Sequence, residues 1–343
     1  MKKKVLLVFL FIILILLAFN YQLVNYGLSQ GYGQLSIILN TKPVSEVMND
    51  ISYPDSLKKK IALIQEIKQY AVDSLGIKPS ENYSTFYDQQ GKPILWMLTA
   101  SEPYELKARE WSFPVIGTFS YKGFFDLDKG KKELELLKEK GFDTSLDEVS
   151  AWSTLGWFKD PILSSMLNRG PGSLANLIIH ELTHGTLYVK DNVNYNENLA
   201  SFVGDIGAKK FLQHKYGINS KEYEQYVSSL DRTKAYAQKV FEAGLKVDSL
   251  YKSFSAATTD LEKAREKDSV LSQVKSDLEK YIFALRNNNP KYKRDLGKIN
   301  NTYFLDFKRY RAQQNIFAEE FKTRFHSDFP AYFKYLKEKY PSM

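Results

Sequence analysis

Two histidines four residues apart, with a glutamate directly after the first, constrain this chain more than any other feature. His180, Glu181 and His184 spell H-E-x-x-H inside Leu174–Val203, LANLIIHELTHGTLYVKDNVNYNENLASFV. On a helix, residues four apart share one face, so both imidazoles can converge on one metal ion. Glu181 sits about a quarter-turn round the same helix, where a carboxylate can reach a water on that metal. A catalytic zinc (Zn2+) takes three protein donors and keeps a fourth position open. The third donor is read as Glu197, in the N-E-x-x-A run that opens the next helix. The same five letters also arise by chance, on a buried helix with incidental histidines. Against chance, the chain has 4 histidines in all and two of them stand here. The flanking Leu174, Leu177, Ile178, Ile179, Leu182, Leu187 and Tyr188 are apolar nearly all round, as in a helix at the centre of a domain. Two imidazoles buried there would be costly without a partner, and a metal is such a partner.

At 343 residues, with 43% hydrophobic and 26% charged, the composition is that of a globular chain able to bury a full core. The absence of cysteine excludes disulfides, thiolate metal ligands, a cysteine nucleophile and a lipidated N-terminal cysteine. A net charge of +8 raises nucleic acid as a partner. The lysines, however, are mostly spread along helices among glutamates, with no basic block longer than the three residues of Lys2–Lys4 or Lys58–Lys60. That pattern reads as a solvated surface, able to lie over anionic lipid, and no nucleic-acid partner is expected. Lys2, Lys3 and Lys4 precede an unbroken apolar run from Val5 to Phe19, the layout of an export signal with its basic end inside. Tyr21, Leu23 and Val24 can extend the run into the interface. Ala18-Phe19-Asn20-Tyr21 offers no small-x-small cleavage site, so the run is read as an uncleaved membrane anchor.

Along the chain, Gln34 to Leu75 reads as helices, with an apolar stripe of Leu57, Ile61, Leu63, Ile64, Ile67 and Ala71 ending before Gly76. The period then changes. Ser84 to Tyr87 and Ile94 to Thr99 read as strands joined at Gln90-Gly91, Trp111 to Phe119 as another, and Tyr121 to Phe125 as a closing one. A helix from about Asp128 to Lys140 follows. Ala151 to Trp157 is read either as an edge strand along a substrate cleft or as an ordinary buried strand. Ser173 is a plausible N-cap for the metal-site helix. From Asn219 to Arg286 a charged helical hairpin is expected, with a Thr259–Glu262 capping box and a stripe of Leu261, Leu271, Val274, Leu278, Ile282 and Leu285. Asn300 to Tyr310 and Ala312 to Lys337 form closing helices. Two other histidines compete as ligands. His214 lies almost five turns past Glu197 on the same helix, too far to join it, and His326 falls in a charged segment. Asp205 is read either as a group orienting a ligand histidine or as a helix-surface charge.

Several of these segments together resemble the bacterial predicted aminopeptidase family, zinc enzymes of the H-E-x-x-H type. The resemblance runs from about Gly33 to Phe321. It is carried by FPVIGTFSYKGFFD (Phe113 to Asp126), WSTLGWFKDPILSSML (Trp152 to Leu167), IIHELTHGTLYVK (Ile178 to Lys190), NENLASFVG (Asn196 to Gly204) and INN (Ile299 to Asn301), in that order. It implies zinc-ligand roles for His180, His184 and Glu197 and a catalytic role for Glu181. Many relatives attach to membrane through a lipidated N-terminal cysteine, a role the plain apolar run must fill here. Thr183 and Gly185 replace the alanine and glutamine more usual in the zinc motif. Tyr310, in a segment shared with the family, is a candidate donor to the oxyanion of an attacked carbonyl, against the simpler reading of a core tyrosine.

The expected fold is α+β and mostly helical: a zincin-like catalytic core with a small antiparallel sheet and a helical C-terminal part. Residues 1–24 form the anchor or signal, 25–218 the catalytic region with the sheet, and 219–343 the helical region. The expected function is a zinc-dependent metallopeptidase acting on peptides, an aminopeptidase by the family's label. A zinc endopeptidase or oligopeptidase at the same site, and an anchored scaffold with a structural zinc, are the rivals. An intact Glu181 argues against the scaffold, since a closed structural site has no use for a general base. The catalytic part is expected outside the cytoplasm, on a single N-terminal anchor in the cell membrane. The mature protein should then keep Met1 or Lys2 and stay with membranes through a high-salt wash. N-terminal sequencing that finds a soluble form beginning near Asn20 would show a cleaved signal instead.

Overall fold

A computed structural model of the chain describes residues 20–113, 117–149, 159–190, 192–288, 296–297, 299–311 and 314–340, side chains at 286–288, 306, 308–311 and 314–315 excepted. The Val5–Phe19 run, the Ala151–Trp157 segment and the Tyr310 side chain lie outside these residues. Among the described residues no helix is long and apolar enough to cross a membrane.

Helices dominate. The chain opens with α1 (Tyr21–Leu39), α2 (Val44–Asn49) and α3 (Asp55–Leu75). In α3 the apolar period buries Ile61, Ile64, Ile67, Ala71 and Leu75 on one face, and Gly76 ends the helix in the left-handed conformation at φ 69°. Of the short strands, β1 (Lys42–Pro43) lies between α1 and α2, while β2 (Thr85–Tyr87), β3 (Trp96–Ser101), β4 (Trp111–Phe113), β5 (Gly117–Phe119) and β6 (Lys122–Phe124) follow α3. Then follow α4 (Leu127–Glu139), β7 (Asp143–Glu148) and β8 (Ile162–Leu163). The metal-motif helix is α5 (Pro171–His184), and α6 (Val193–Tyr216) returns from it. The remainder is α7 (Lys221–Ser253), α8 (Asp260–Asn288), α9 (Asn301–Arg311), α10 (Gln314–Phe325) and α11 (Phe329–Lys339).

The α+β, mostly helical expectation holds, but the strands pair differently from the expected hairpin. β2 and β3 do not pair with each other. β2 lies between β1, antiparallel, and β8, parallel, while β3 lies between β6 and β7, antiparallel to both. β4 and β5 make a two-stranded antiparallel ribbon where one strand was expected. Among the described residues there are thus three small sheets, one of them mixed. β1, inside a stretch expected to be helical, and β7 and β8 were not expected as strands. The charged run DTSLDE of β7 carries no strand signal, yet it pairs with β3 over six registers, from Asp143↔Ser101 to Glu148↔Trp96. Two helix ends also moved. α5 begins at Pro171, with Gly170 before it, so the fixed φ of proline at the first position replaces Ser173 as the start signal. The expected Ala312–Lys337 helix breaks into α10 and α11 at His326 and Ser327, both with positive φ (48° and 65°).

Three hydrophobic clusters hold these elements. The largest joins α3, α5 and α6 and is sealed by Phe329, Tyr332, Phe333 and Leu336 of α11. A second lies between α7, α8 and α9, around Tyr236, Val247, Val274, Leu278 and Phe304. Leu271, Val274, Leu278 and Ile282 of the expected α8 stripe are buried, but Leu261 is 81% exposed. It belongs to the capping turn, where Glu262 accepts from Thr259 N (2.8 Å) and Glu262 N donates to Thr259 Oγ1 (3.2 Å). The third cluster packs β3 and β6 under Leu137 of α4. The INN motif ties the second and third clusters together. Asn301 donates to the Glu102 carbonyl (2.8 Å) and accepts from Tyr251 Oη (2.8 Å). Its backbone N–H reaches Asp143 (2.9 Å), and Asn300 donates to the Thr144 carbonyl (3.0 Å).

The α5–α6 contact is the tightest packing near the metal motif, and glycine makes it possible. A Cβ at Gly204 would stand 2.9 Å from the Asn176 carbonyl oxygen, and one at Gly207 would stand 2.9 Å from Ile179 and Leu75. Alanine for glycine inside a helix ordinarily stabilises by about 1 kcal/mol. Gly204→Ala should instead destabilise by roughly 1–3 kcal/mol, because backbone has to move aside. Thermal unfolding checks the sign, and an unchanged or higher melting temperature would contradict the close approach.

Candidate metal centre

α5 carries His180 and His184 one turn apart, and α6 runs back beside it. The reversal is held by a reciprocal pair in which Asn196 accepts from Val189 N and donates to the Val189 carbonyl, both at 2.8 Å. Asn192 starts α6 as its N-cap, accepting from Tyr195 N (3.2 Å). With the turn fixed in this way, the next residue, Glu197, faces the two histidines. Its Oε2 lies 3.2 Å from His180 Nε2 and 3.7 Å from His184 Nε2, and the two imidazole Nε2 atoms are 3.3 Å apart. Among the described residues these three form the one His/Asp/Glu group gathered closely enough to hold a metal ion. Donors at tetrahedral angles about 2.0–2.2 Å from a zinc would be separated by about 3.3–3.5 Å, so the observed triangle has the right size.

The electrostatics ask for a cation at the same point. Burial opposes charge on Glu197, yet His184 and His180 overcome it and hold the carboxyl far below the ordinary carboxylate range. Burial likewise works against a charged His184, and Glu197 overcomes it, drawing the imidazole's pKa up. Each group is thus set to share positive charge with the other, and a divalent ion supplies that charge while leaving both imidazoles neutral. The donor set of two imidazoles and a carboxylate suits zinc, whose open sites are built this way. His184 Nδ1 is buried with no hydrogen-bond partner among the described residues.

Glu181 is 8% exposed and stands beside the triangle without belonging to it. Burial raises its pKa; His180 and His184 pull it down, Glu197 pushes it up and Arg169 pulls it down. The result is a carboxylate that holds a proton more readily than one in water, as a proton carrier should.

A family model described as "Putative aminopeptidase" matches residues 25–340. The chain belongs to that family. No curated protein and no solved structure matches it. Family membership points to a peptidase, and in this aminopeptidase family member the H-E-x-x-H helix and the NENLASFVG helix meet in one buried place.

The other sequence candidates divide. His214 stacks on Tyr70 (centroids 5.2 Å apart) and His326 is exposed, so neither approaches the triangle. Asp205 is buried and accepts from Asn176 Nδ2 at 2.9 Å, one turn ahead of His180; it is no surface charge. Thr183 satisfies its buried hydroxyl on the Ile179 carbonyl (2.7 Å), which accommodates the departure from the family's usual alanine. Two residues near Glu181 escaped the sequence reading. Arg169, just before α5, is half-buried, and burial lowers its pKa while Glu181 raises it. Tyr83 is fully buried with φ 65° and its hydroxyl has no hydrogen-bond partner among the described residues; burial, Glu181 and Asp160 push it well above its ordinary pKa. Its backbone is pinned, with Tyr83 N donating to the Asp160 carbonyl (2.7 Å) and its own carbonyl accepting from Gln65 (2.7 Å). Asn196 could have been found from sequence, because an Asx residue at a polar turn between two helices is a turn-fixing signal.

The purified full-length chain should carry about one zinc per chain, and His184→Ala or Glu197→Ala should strip it. Elemental analysis decides, and full retention in the Glu197 variant would remove that residue from the ligand set.

Proposed function

We propose that this protein is a zinc-dependent metallopeptidase with His180, His184 and Glu197 as ligands and Glu181 as general base, in a zincin-like core spanning residues 25–218. The observation that carries the reading is the triangle of donor atoms with a buried Glu181 beside it, its pKa raised by burial. When bound, a zinc ion supplies Lewis acidity, making a water easier to deprotonate and a carbonyl easier to attack. Glu181 takes the proton from the attacking water at a carboxylate oxygen. The water oxygen bonds to the carbonyl carbon, the C–N bond breaks, and Glu181 delivers that proton to the departing amine nitrogen. Glu197 and the two imidazoles hold charge and geometry constant through these steps. Burial keeps bulk water from competing for the proton. The aminopeptidase assignment rests on the family's description, with short peptides bearing a free α-amine as the substrate class. The N-terminal anchor would hold this chemistry at the outer face of the cell membrane.

Glu181→Gln keeps the shape and hydrogen-bonding reach of the side chain but cannot carry the proton. It should leave the metal content unchanged while peptide hydrolysis falls by a factor of roughly a hundred or more. Free-amine peptides should be cut and their N-acetylated forms spared. Equal cutting of both would retain the peptidase and discard the aminopeptidase, whereas wild-type activity in the Gln variant would point to a structural metal.

A further inference from the structure

Away from the triangle, a cavity of about 890 Å³ opens between α6 and α7, with α9 and α10 completing its wall. α6 contributes Phe202, Ile206, Lys209, Lys210 and Gln213 to the lining. The same helix turns Gly204 and Gly207 toward α5. At about 3.6 residues per turn, the lining positions lie on the far side of α6 from that contact. His180, Glu181, His184 and Glu197 line no part of the cavity. It is a separate site and no extension of the metal centre.

Its chemistry is two-sided. Phe241, Leu245, Val240, Phe304 and Phe321 make an apolar wall. Phe241 and Leu245, one turn apart on α7, are 50% and 51% exposed and put apolar surface at the cavity's rim. At the cationic side, Lys209 and Lys210 are half-buried, and neither has a carboxylate partner among the described residues. The other lining charges differ: Lys252 pairs with Asp248 at 2.6 Å, Asp205 is held by Asn176, and Lys234 is engaged as well. Two lysines beside an apolar wall match a ligand that brings both an anion and a hydrocarbon surface. Apart from Leu106 and Ser327 the lining residues sit on helices, so among the described residues no strand edge offers the backbone hydrogen bonds an extended peptide needs. The volume lies in the range of small-molecule sites, about 300–1,000 Å³.

We propose that this cavity binds a single-chain amphiphilic anion, its acyl or alkyl chain against Phe241, Leu245 and Phe304 and its carboxylate or phosphate head at Lys209 and Lys210. The site is independent of the peptidase reading and stands or falls without it.

The test uses the full-length chain in nanodiscs of zwitterionic lipid, labelled with a photoreactive diazirine derivative of dodecanoic acid. Cross-links should map to peptides containing Phe241, Leu245 or Phe304. Dodecanoate and dodecyl phosphate should compete, and dodecanol or dodecyltrimethylammonium should fail to. A tenfold preference for dodecanoate over dodecyl phosphate would assign a fatty-acid ligand, and the reverse a phosphate-headed lipid. Lys209→Glu with Lys210→Glu should reduce labelling tenfold or more. Gly244→Leu keeps both lysines and fills the space instead. A Cβ at 244 meets Phe304 at 3.6 Å, an ordinary contact, so the larger side chain should enter the cavity and block labelling. Labelling that maps elsewhere, that dodecanol displaces as well as dodecanoate does, or that survives both variants would overturn the proposal.

Discussion

Three lone-pair-bearing atoms brought within hydrogen-bonding distance of one another, in a place with little water, form an unstable arrangement unless something positive sits among them. That constraint governs the centre of this protein. Two imidazole nitrogens and a carboxylate oxygen meet at 3.2–3.7 Å, and their mutual effects run toward shared positive charge: Glu197 driven to ionise against its burial, His184 drawn up against its own. A single proton answers this demand only in part, because it satisfies one pair of the three. A divalent ion answers it for all three donors at once.

Everything around the triangle serves to hold two helices where those atoms can meet. Glycine at 204 and 207 lets α6 approach α5 to near backbone contact. The Asn196–Val189 pair sets the turn, so that Glu197 enters α6 already facing His180. Behind them α3 and the aromatic residues of α11 close the core and fix the helices' spacing, with the Tyr332 hydroxyl satisfied by donating to Glu320 (2.9 Å). Glu181 gains its character from the same packing. Burial alone would favour its neutral form, while the ligand histidines and Arg169 oppose this and leave it between the two extremes. Further out, the INN segment ties the α7–α9 helices to β7 and the loop at Glu102–Pro103, largely through side-chain amides.

What could be read from the sequence followed from spacing that local geometry enforces. H-E-x-x-H gave a shared helix face, because four residues make about one turn, and the α3 and α8 stripes were legible for the same reason. Glu197 needed more: a polar turn that reverses the chain, and the family pattern around NENLASFVG. Strand partners were not legible. β2 and β3 have strand composition, but which edge each meets depends on β8 and β7, far along the chain, and β7 disguises itself with DTSLDE. Leu261 shows the opposite failure, where apolar period ran on into a capping turn and promised burial that the helix start does not provide. Tyr83 left no trace in sequence, since a left-handed backbone at a tyrosine is imposed by Asp160 and Gln65 and not by its own preference.

Zinc K-edge X-ray absorption on the full-length protein tests the central claim most directly, because it reads the donor atoms themselves. The account predicts a four- or five-coordinate zinc, with imidazole scattering from two nitrogens at about 2.0–2.1 Å and the remaining donors oxygen at about 2.0–2.2 Å. A spectrum without imidazole scattering, or with a six-coordinate shell of oxygen alone, would contradict it.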